Sequence, residues 1–242
     1  MQLDADSLER LVPDRVQAQD LTGEETLRLH LDRYAFAATH ARPGRLLDIA
    51  CGTGYGTRLL TERSAGVEEA LGVDLSQSAV SYARERYGDA RTRFQVADAM
   101  DFADDQGFDT IVSIETIEHL PRPEAFASRL AELLRAGGVL VASVPTTPSV
   151  DLNPHHLHDF SERSFRRLIA PRGLRELGCL RQVQRLRFAA LLQRREARMR
   201  DMRRGLVGYY ASRPGSLLRR VGSTLRNGLA NRYITIAWQA DG

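Results

Sequence analysis

The sequence predicts an α/β fold, a parallel sheet with helices on both faces, and three observations carry that reading. Short apolar runs alternate with helix-period stretches through the middle of the 242-residue chain, which is the rhythm of βαβ units. The first five runs are each followed by a helical pattern or a short crossover, so parallel pairing is the economical arrangement. Hydrophobic residues make up 43% of the chain, enough for a real core in one large domain or one domain with an elaboration.

Taken in order, strands are expected at 45–50, 69–73, 92–97, 108–114, 138–144, 180–188 and 233–238. Helices are expected at 55–62, 76–87, 124–135 and 161–170. The triplet Ala136-Gly137-Gly138 reads as a helix stop and a turn into the fifth strand. Residues 1–42 read as a helical preface that could cap the ligand end of the sheet, with Leu27, Leu31, Tyr34 and Ala38 at helical spacing. The domain body is then 43–242, carrying an insertion at 189–230. Apolar residues recur there in two groups, Leu192 to Leu206 and Leu218 to Leu229, which predicts two amphipathic helices broken at Ser212 to Gly215.

Composition excludes several classes. The start of the chain has no apolar leader, and no later run approaches the roughly 18 apolar residues that span a bilayer, so a cytoplasmic protein is expected. Cys51 and Cys179 cannot build a disulfide framework or a Cys-x-x-Cys pair. All 34 basic residues are arginine, which excludes lysine chemistry. Residues 1–180 hold 20 arginines against 28 acids, whereas 181–242 hold 14 against 3, so attraction to anionic partners belongs to the C-terminal part.

The segment "LLDIACGTGYG" puts Asp48 at the end of the first strand and Gly52 and Gly54 in a tight turn that opens a helix. Glycine there allows positive φ and close approach of the backbone to a ligand. Asp74 ends the second strand, 20 residues after Gly54, where a carboxylate can accept hydrogen bonds from ribose hydroxyls, and Asp98 ends the third. Three carboxylates thus line the edge where open α/β sheets bind ligands. A nicotinamide nucleotide fits poorly, because the third glycine of its fingerprint falls at Thr57 and the acid before the loop repels a pyrophosphate.

On these residues the sequence resembles the class I S-adenosylmethionine-dependent methyltransferases over about residues 25–188 and the last strand. The resemblance implies a Rossmann-like, seven-stranded methyltransferase sheet whose last strand is antiparallel. It also implies that Asp48, Gly52 and Gly54 surround the methionine portion of S-adenosylmethionine, that Asp74 binds the ribose, and that Asp98, Ala99 and Met100 flank the adenine, with Ala50, Tyr55, Leu75 and Glu115 as further cofactor-binding candidates. Arg33 and Tyr34 are weaker candidates for reaching the methionine carboxylate or the acceptor. His30 and His40 read as surface residues, and Tyr34 as a core residue.

The tract "SIETIEHLPRP" follows the fourth strand. A helical turn starting after Ile114 places Glu115 and His119 on one face with Glu118 beside them, and "NPHHLHDF" supplies a further imidazole across the crevice. Such mixed ligands suit magnesium, manganese, iron or zinc. The tract resembles the metal site of small-RNA 3′-terminal ribose 2′-O-methyltransferases and is similar to one in ubiquinone-pathway O-methyltransferases. That resemblance selects His156, with His155 and His158 as alternatives, so the implied metal set is Glu115, Glu118, His119 and His156. Without a metal, Glu115 lines the cofactor pocket, Glu118 and His119 bond to the loop, and His119 or His156 is the general base. Glu118, His119 and His156 are therefore the candidate catalytic residues.

The expected function is S-adenosylmethionine-dependent O-methylation of a hydroxyl on a small molecule, a sugar or specialised metabolite, with or without a divalent metal. RNA ribose 2′-O-methylation, small-molecule N-methylation and non-catalytic cofactor binding stand as alternatives. The arginine-rich insertion reads as a lid or a homodimer contact, with nucleic acid and a peripheral membrane surface as the other partners it could meet.

Overall fold

A computed structural model describes residues 21–185 and 205–242, together with Pro13. In chain order the elements are α1 (Leu21–His40), β1 (Gly44–Ile49), α2 (Tyr55–Arg63), β2 (Val67–Asp74), α3 (Gln77–Tyr87), β3 (Thr92–Val96) and β4 (Phe108–Ser113). A 3-10 turn (Ile117–His119) leads to α4 (Pro123–Leu133), β5 (Leu134–Pro145), α5 (Glu162–Ile169), β6 (Leu174–Arg185), α6 (Leu206–Ser212), α7 (Pro214–Asn227) and β7 (Ala230–Ala240). Seven strands form one sheet in the order β3-β2-β1-β4-β5-β7-β6. Strands β1 to β5 pair in parallel, and β7 runs antiparallel to both β5 and β6.

The pleat of β1 sets out both cores. Leu47 and Ile49 face one way, into a cluster with Phe126 and Leu130 of α4 and Phe165 of α5. Leu46 faces the other way, into a cluster with Tyr34 and Ala37 of α1 and Leu60 of α2. The order reverses between β1 and β4, so a crevice opens at the carboxyl ends of those two strands.

Three elements depart from the sequence reading. Strand β5 starts at Leu134, because the Ala136 to Gly138 stretch is a bulge in the strand, with Gly137 at φ 71°. Strand β6 starts at Leu174, after Gly173 at φ 68° ends the preceding turn, and the expected residues 186–188 lie outside the described residues. The inward face of α1 is also turned from the expected one: Thr26, Leu29, Arg33 and Ala37 are buried, whereas Leu27, Leu31 and Ala38 are only partly so. Its polar members meet polar strand positions, because Arg33 Nε donates to Gln182 Oε1 (2.8 Å) and Gln184 Nε2 donates to Thr26 Oγ1 (2.9 Å). Helix α1 thereby packs against the sheet, with Tyr34 and Ala37 in the same cluster as Leu46.

Of the insertion, the first expected helix lies almost wholly outside the described residues. The second is α7, and the break falls at Arg213, as the Ser212 to Gly215 stretch predicts. Among the described residues no helix is long and apolar enough to cross a membrane.

Candidate active site

The glycine loop follows β1 directly. Ala50 (φ 62°), Gly52 (φ 58°) and Gly54 (φ 84°) all take left-handed backbone, and Ala50 does so at a steric cost of about 1 kcal/mol or more. Gly54 heads α2, and a Cβ there would lie 2.6 Å from Ala83 Cβ and 2.7 Å from Phe94. A Cβ on Gly52 would meet nothing within 4 Å, so this backbone borders open crevice. Asp74 pins the loop: its Oδ2 accepts from Gly52 N and its Oδ1 from Ser76 N, both at 2.9 Å. Leu75 beside it is 67% exposed, an apolar side chain left open at the strand end. Asp98 lies just beyond β3 in an exposed turn, accepting from Met100 N (2.8 Å), and Ala99 and Met100 are partly buried.

The residues of this region carry a likeness to known proteins. A protein-family model described as a methyltransferase domain matches residues 47–142, from β1 through the glycine loop to β5. Residues 47–142 are thus similar to a methyltransferase domain. The chain is similar to a probable S-adenosylmethionine-dependent methyltransferase of Mycolicibacterium smegmatis, 30% identical over 172 residues that cover 64% of this chain and 65% of that one. It spans between 60% and 65% of the length of the first curated relatives it matches. A crystal structure from Bacillus halodurans superposes with a TM-score of 0.67 at 16% identity, covering 88% of this chain and 99% of that one. The N-methyltransferase NodS of Bradyrhizobium japonicum, in complex with S-adenosylhomocysteine, gives 0.60 at 15% identity and 98% of both chains. At these identities the two structures speak for the fold.

Within the matched region Asp48 takes a different position from the one its sequence place suggests. It stands one residue before the end of β1, so the pleat turns it to the Leu46 side, under α1 and α2. It is fully buried, accepting from Thr57 Oγ1 (2.6 Å) and Tyr34 OH (3.4 Å). Burial raises its pKa, the two hydrogen bonds oppose that, Asp74 adds to it, and the carboxyl rests at about 7. Asp48 therefore braces the loop from beneath and does not line the crevice. Burial likewise holds the Cys51 thiol up and protonated. His30, expected on the surface, is partly buried, with Nδ1 3.2 Å from Tyr55 OH at the loop mouth.

Across the crevice, Glu115 breaks the helical turn that the sequence suggests. Its φ of 49° takes the chain out of helical conformation, and the 3-10 turn begins only at Ile117. Glu115 N donates to Ser143 Oγ (3.0 Å) and Ser143 Oγ donates back to Glu115 Oε1 (2.9 Å), while Arg33 Nη1 lies 3.7 Å from the same oxygen. Glu115 is thereby held outside the cluster of Glu118, His119 and His156, beside Arg33. That arginine is 1% exposed, lies 4.3 Å over the Tyr233 ring, and has no hydrogen-bond acceptor for Nη1 among the described residues.

The other three residues do converge. Glu118, His119 and His156 each offer a ligand atom within 4.8 Å of the others, and Glu118 is fully buried. Backbone bonds stitch the histidine loop on: Leu157 N and His158 N donate to Glu118 O at 2.8 and 3.3 Å. His158 is used up in that seam, with Nε2 3.0 Å from Leu120 O, and His155 is exposed, so His156 is the one brought in. His119 Nδ1 faces His155 O (3.3 Å) and His156 Nδ1 faces Ser149 Oγ (2.6 Å), and the two rings meet edge to face at 4.6 Å. Burial, then the neighbouring His119 and His155, hold His156 down to about 3, so it is neutral at physiological pH and a weak proton acceptor.

Proposed function

We propose that this domain transfers the methyl group of S-adenosylmethionine to a hydroxyl of a small molecule, a sugar or specialised metabolite, and that Glu118, His119 and His156 hold a divalent metal for that reaction. The observation that carries the reading is the convergence of one carboxylate and two imidazoles just past the end of β4, beside the glycine loop. The donor set fits a divalent ion. His119 Nδ1 must donate to a carbonyl, which leaves Nε2 with its lone pair, and Ser149 can engage His156 Nδ1 in the same way. The carboxylate is withdrawn from water, where a cation offsets the cost of its charge.

A metal bound there supplies Lewis acidity that lowers the pKa of an acceptor hydroxyl. The protein groups do the rest. Gly52 lets the donor approach the backbone, Asp74 and Leu75 face its nucleoside, and Glu115 with Arg33 gives the methionine end a pair of opposite charges. Because the sulfonium is already activated, alignment of acceptor and methyl is the main demand, with removal of one proton.

The test is a tritiated-methyl assay on a panel of sugars and hydroxylated metabolites, alongside calorimetric titration of S-adenosylhomocysteine and manganese. The reading expects methyl ether products, manganese binding in the wild type, and loss of both manganese binding and turnover in Glu118→Ala and His156→Ala with S-adenosylhomocysteine affinity kept. Turnover indifferent to EDTA overturns the metal, and products methylated only at nitrogen overturn the hydroxyl acceptor.

A further inference from the structure

Helix α7 is built inside out. Its polar residues Ser216, Arg220, Ser223 and Asn227 recur at spacings of four, three and four and share the partly buried side that faces the domain. Arg220 anchors that side, with Nε 2.8 Å from Asp151 Oδ2 and Nη2 2.5 Å from Pro148 O. The opposite side carries Leu218 (73% exposed), Val221 (46%) and Leu225 (82%), with Leu217 (42%) at its margin. A helix that packs on its own domain buries its apolar stripe and wets its polar one. Here the arrangement is reversed, and the leucines point away from the protein.

We propose that this outward face of α7 is a docking surface for an anionic lipid membrane. The charge around the stripe selects that occupant. Residues 205–229 contain four arginines and no acid. Arg220 is neutralised by Asp151, and Arg213 sits 4.8 Å over the Tyr209 ring. Arg219 and Arg226, seven residues apart, therefore border the leucines along one flank. An apolar stripe edged with arginine is what lies in a lipid headgroup region, with side chains in the acyl boundary and guanidinium groups on phosphates. A second copy set face to face would bring the same arginines together with no acid of this segment to pair them. A nucleic acid would meet the arginines but leave the leucines in water.

Asp151 and Pro148 belong to the loop that carries His156, so a membrane held by α7 lies beside the mouth of the crevice. The docking surface itself does not depend on the methyl-transfer reading, and binding tests it without an activity assay.

The experiment is co-sedimentation of the full chain with phosphatidylcholine vesicles and with vesicles containing about 30% phosphatidylglycerol. Retention on the anionic vesicles, at least about tenfold above the neutral ones and weakened by salt, is the expected result. Leu218→Ser with Leu225→Ser should lower it by about tenfold or more at unchanged thermal stability, and Arg219→Gln with Arg226→Gln should remove the salt dependence. Equal sedimentation with both vesicle types, or retention unmoved by the leucine changes, overturns the proposal. So does a dimer that the leucine changes dissociate without altering lipid binding, or salt-sensitive capture of RNA that exceeds capture by vesicles.

Discussion

Thr57 Oγ1 donates to Asp48 Oδ2 at 2.6 Å, across the gap between α2 and β1 and out of reach of water. Because the buried carboxyl titrates at about 7 instead of 3.8, the folded state holds its proton more tightly than the unfolded chain does. That contribution to stability is complete below about pH 4 and disappears as pH rises through 7. Thermal melts between pH 4 and 8 should show it as a declining slope of up to about 1.4 kcal/mol per pH unit, which Asp48→Asn flattens. A cationic donor bound above the loop should also expel the Asp48 proton. Calorimetric titrations of S-adenosylmethionine at pH 6.5, in buffers of different ionisation enthalpy, should report proton release that the Asn variant lacks.

The two glycines of the loop should fail differently. Gly54→Ala sets a methyl 2.6 Å from Ala83 Cβ at a positive φ, so a fold destabilised by several kcal/mol, with little soluble protein, is expected. Gly52→Ala meets no protein atom and bears only the left-handed backbone penalty of about 1–2 kcal/mol. Its methyl enters the space assigned to the donor. It should stay folded by circular dichroism and lose S-adenosylhomocysteine affinity by about tenfold or more.

What was legible in the sequence followed from strong local signals. Leu46, Leu47 and Ile49 announce a strand, and the Asp48, Gly52, Gly54 and Asp74 spacing announces the loop and the resemblance it carries. What escaped was decided by single dihedrals or by partners far along the chain. Nothing local shows that Glu115 adopts φ 49°, which removes it from the His119 face. The face of α1 was misread because Thr26 and Arg33 look like solvent residues until Gln184 and Gln182 stand opposite them, about 150 residues later. The period of two does place Asp48 beneath the helices with Leu46, a signal that was available in the strand itself. The resemblance selects His156 from the sequence, and the seam to Glu118 and Leu120, which no spacing encodes, is what sets His158 aside.

Arg33 ties α1 to two parts of the sheet, through Gln182 of β6 at 2.8 Å and toward Glu115 past β4 at 3.7 Å. Arg33→Met keeps much of the packing and removes the charge, leaving Gln182 Oε1 and Glu115 without their cation. A loss of about 2–3 kcal/mol in urea unfolding is expected, with a weaker effect in Arg33→Met combined with Gln182→Leu, where the stranded acceptor is gone too. Equal losses in the single and double variants would show that Gln182 is not the group left stranded.

Asp151 is the clasp between α7 and the histidine loop. It is 3% exposed, and Tyr210 OH (2.6 Å) and the Arg220 guanidinium converge on it. Burial acts to raise its carboxyl, but the bonds from Arg220 and Tyr210 outweigh that and hold it below the usual carboxylate range. A depressed carboxyl contributes stability that is present above its unfolded pKa and lost as pH falls through the folded one, so the clasp should hold at neutral pH and release in acid. Arg220→Met removes the cation and leaves the buried carboxylate with Tyr210 as its remaining side-chain partner of this pair. With Arg220 partly exposed, solvent screening limits the loss to about 1–2 kcal/mol. Amide hydrogen exchange should then accelerate about tenfold across 214–227 at neutral pH, while β1 and β4 exchange as in the wild type. Because the released segment carries Leu218 and Leu225 with it, uniform acceleration over the whole sheet would mean that Arg220 supports the core and that the arm does not open as a separate unit.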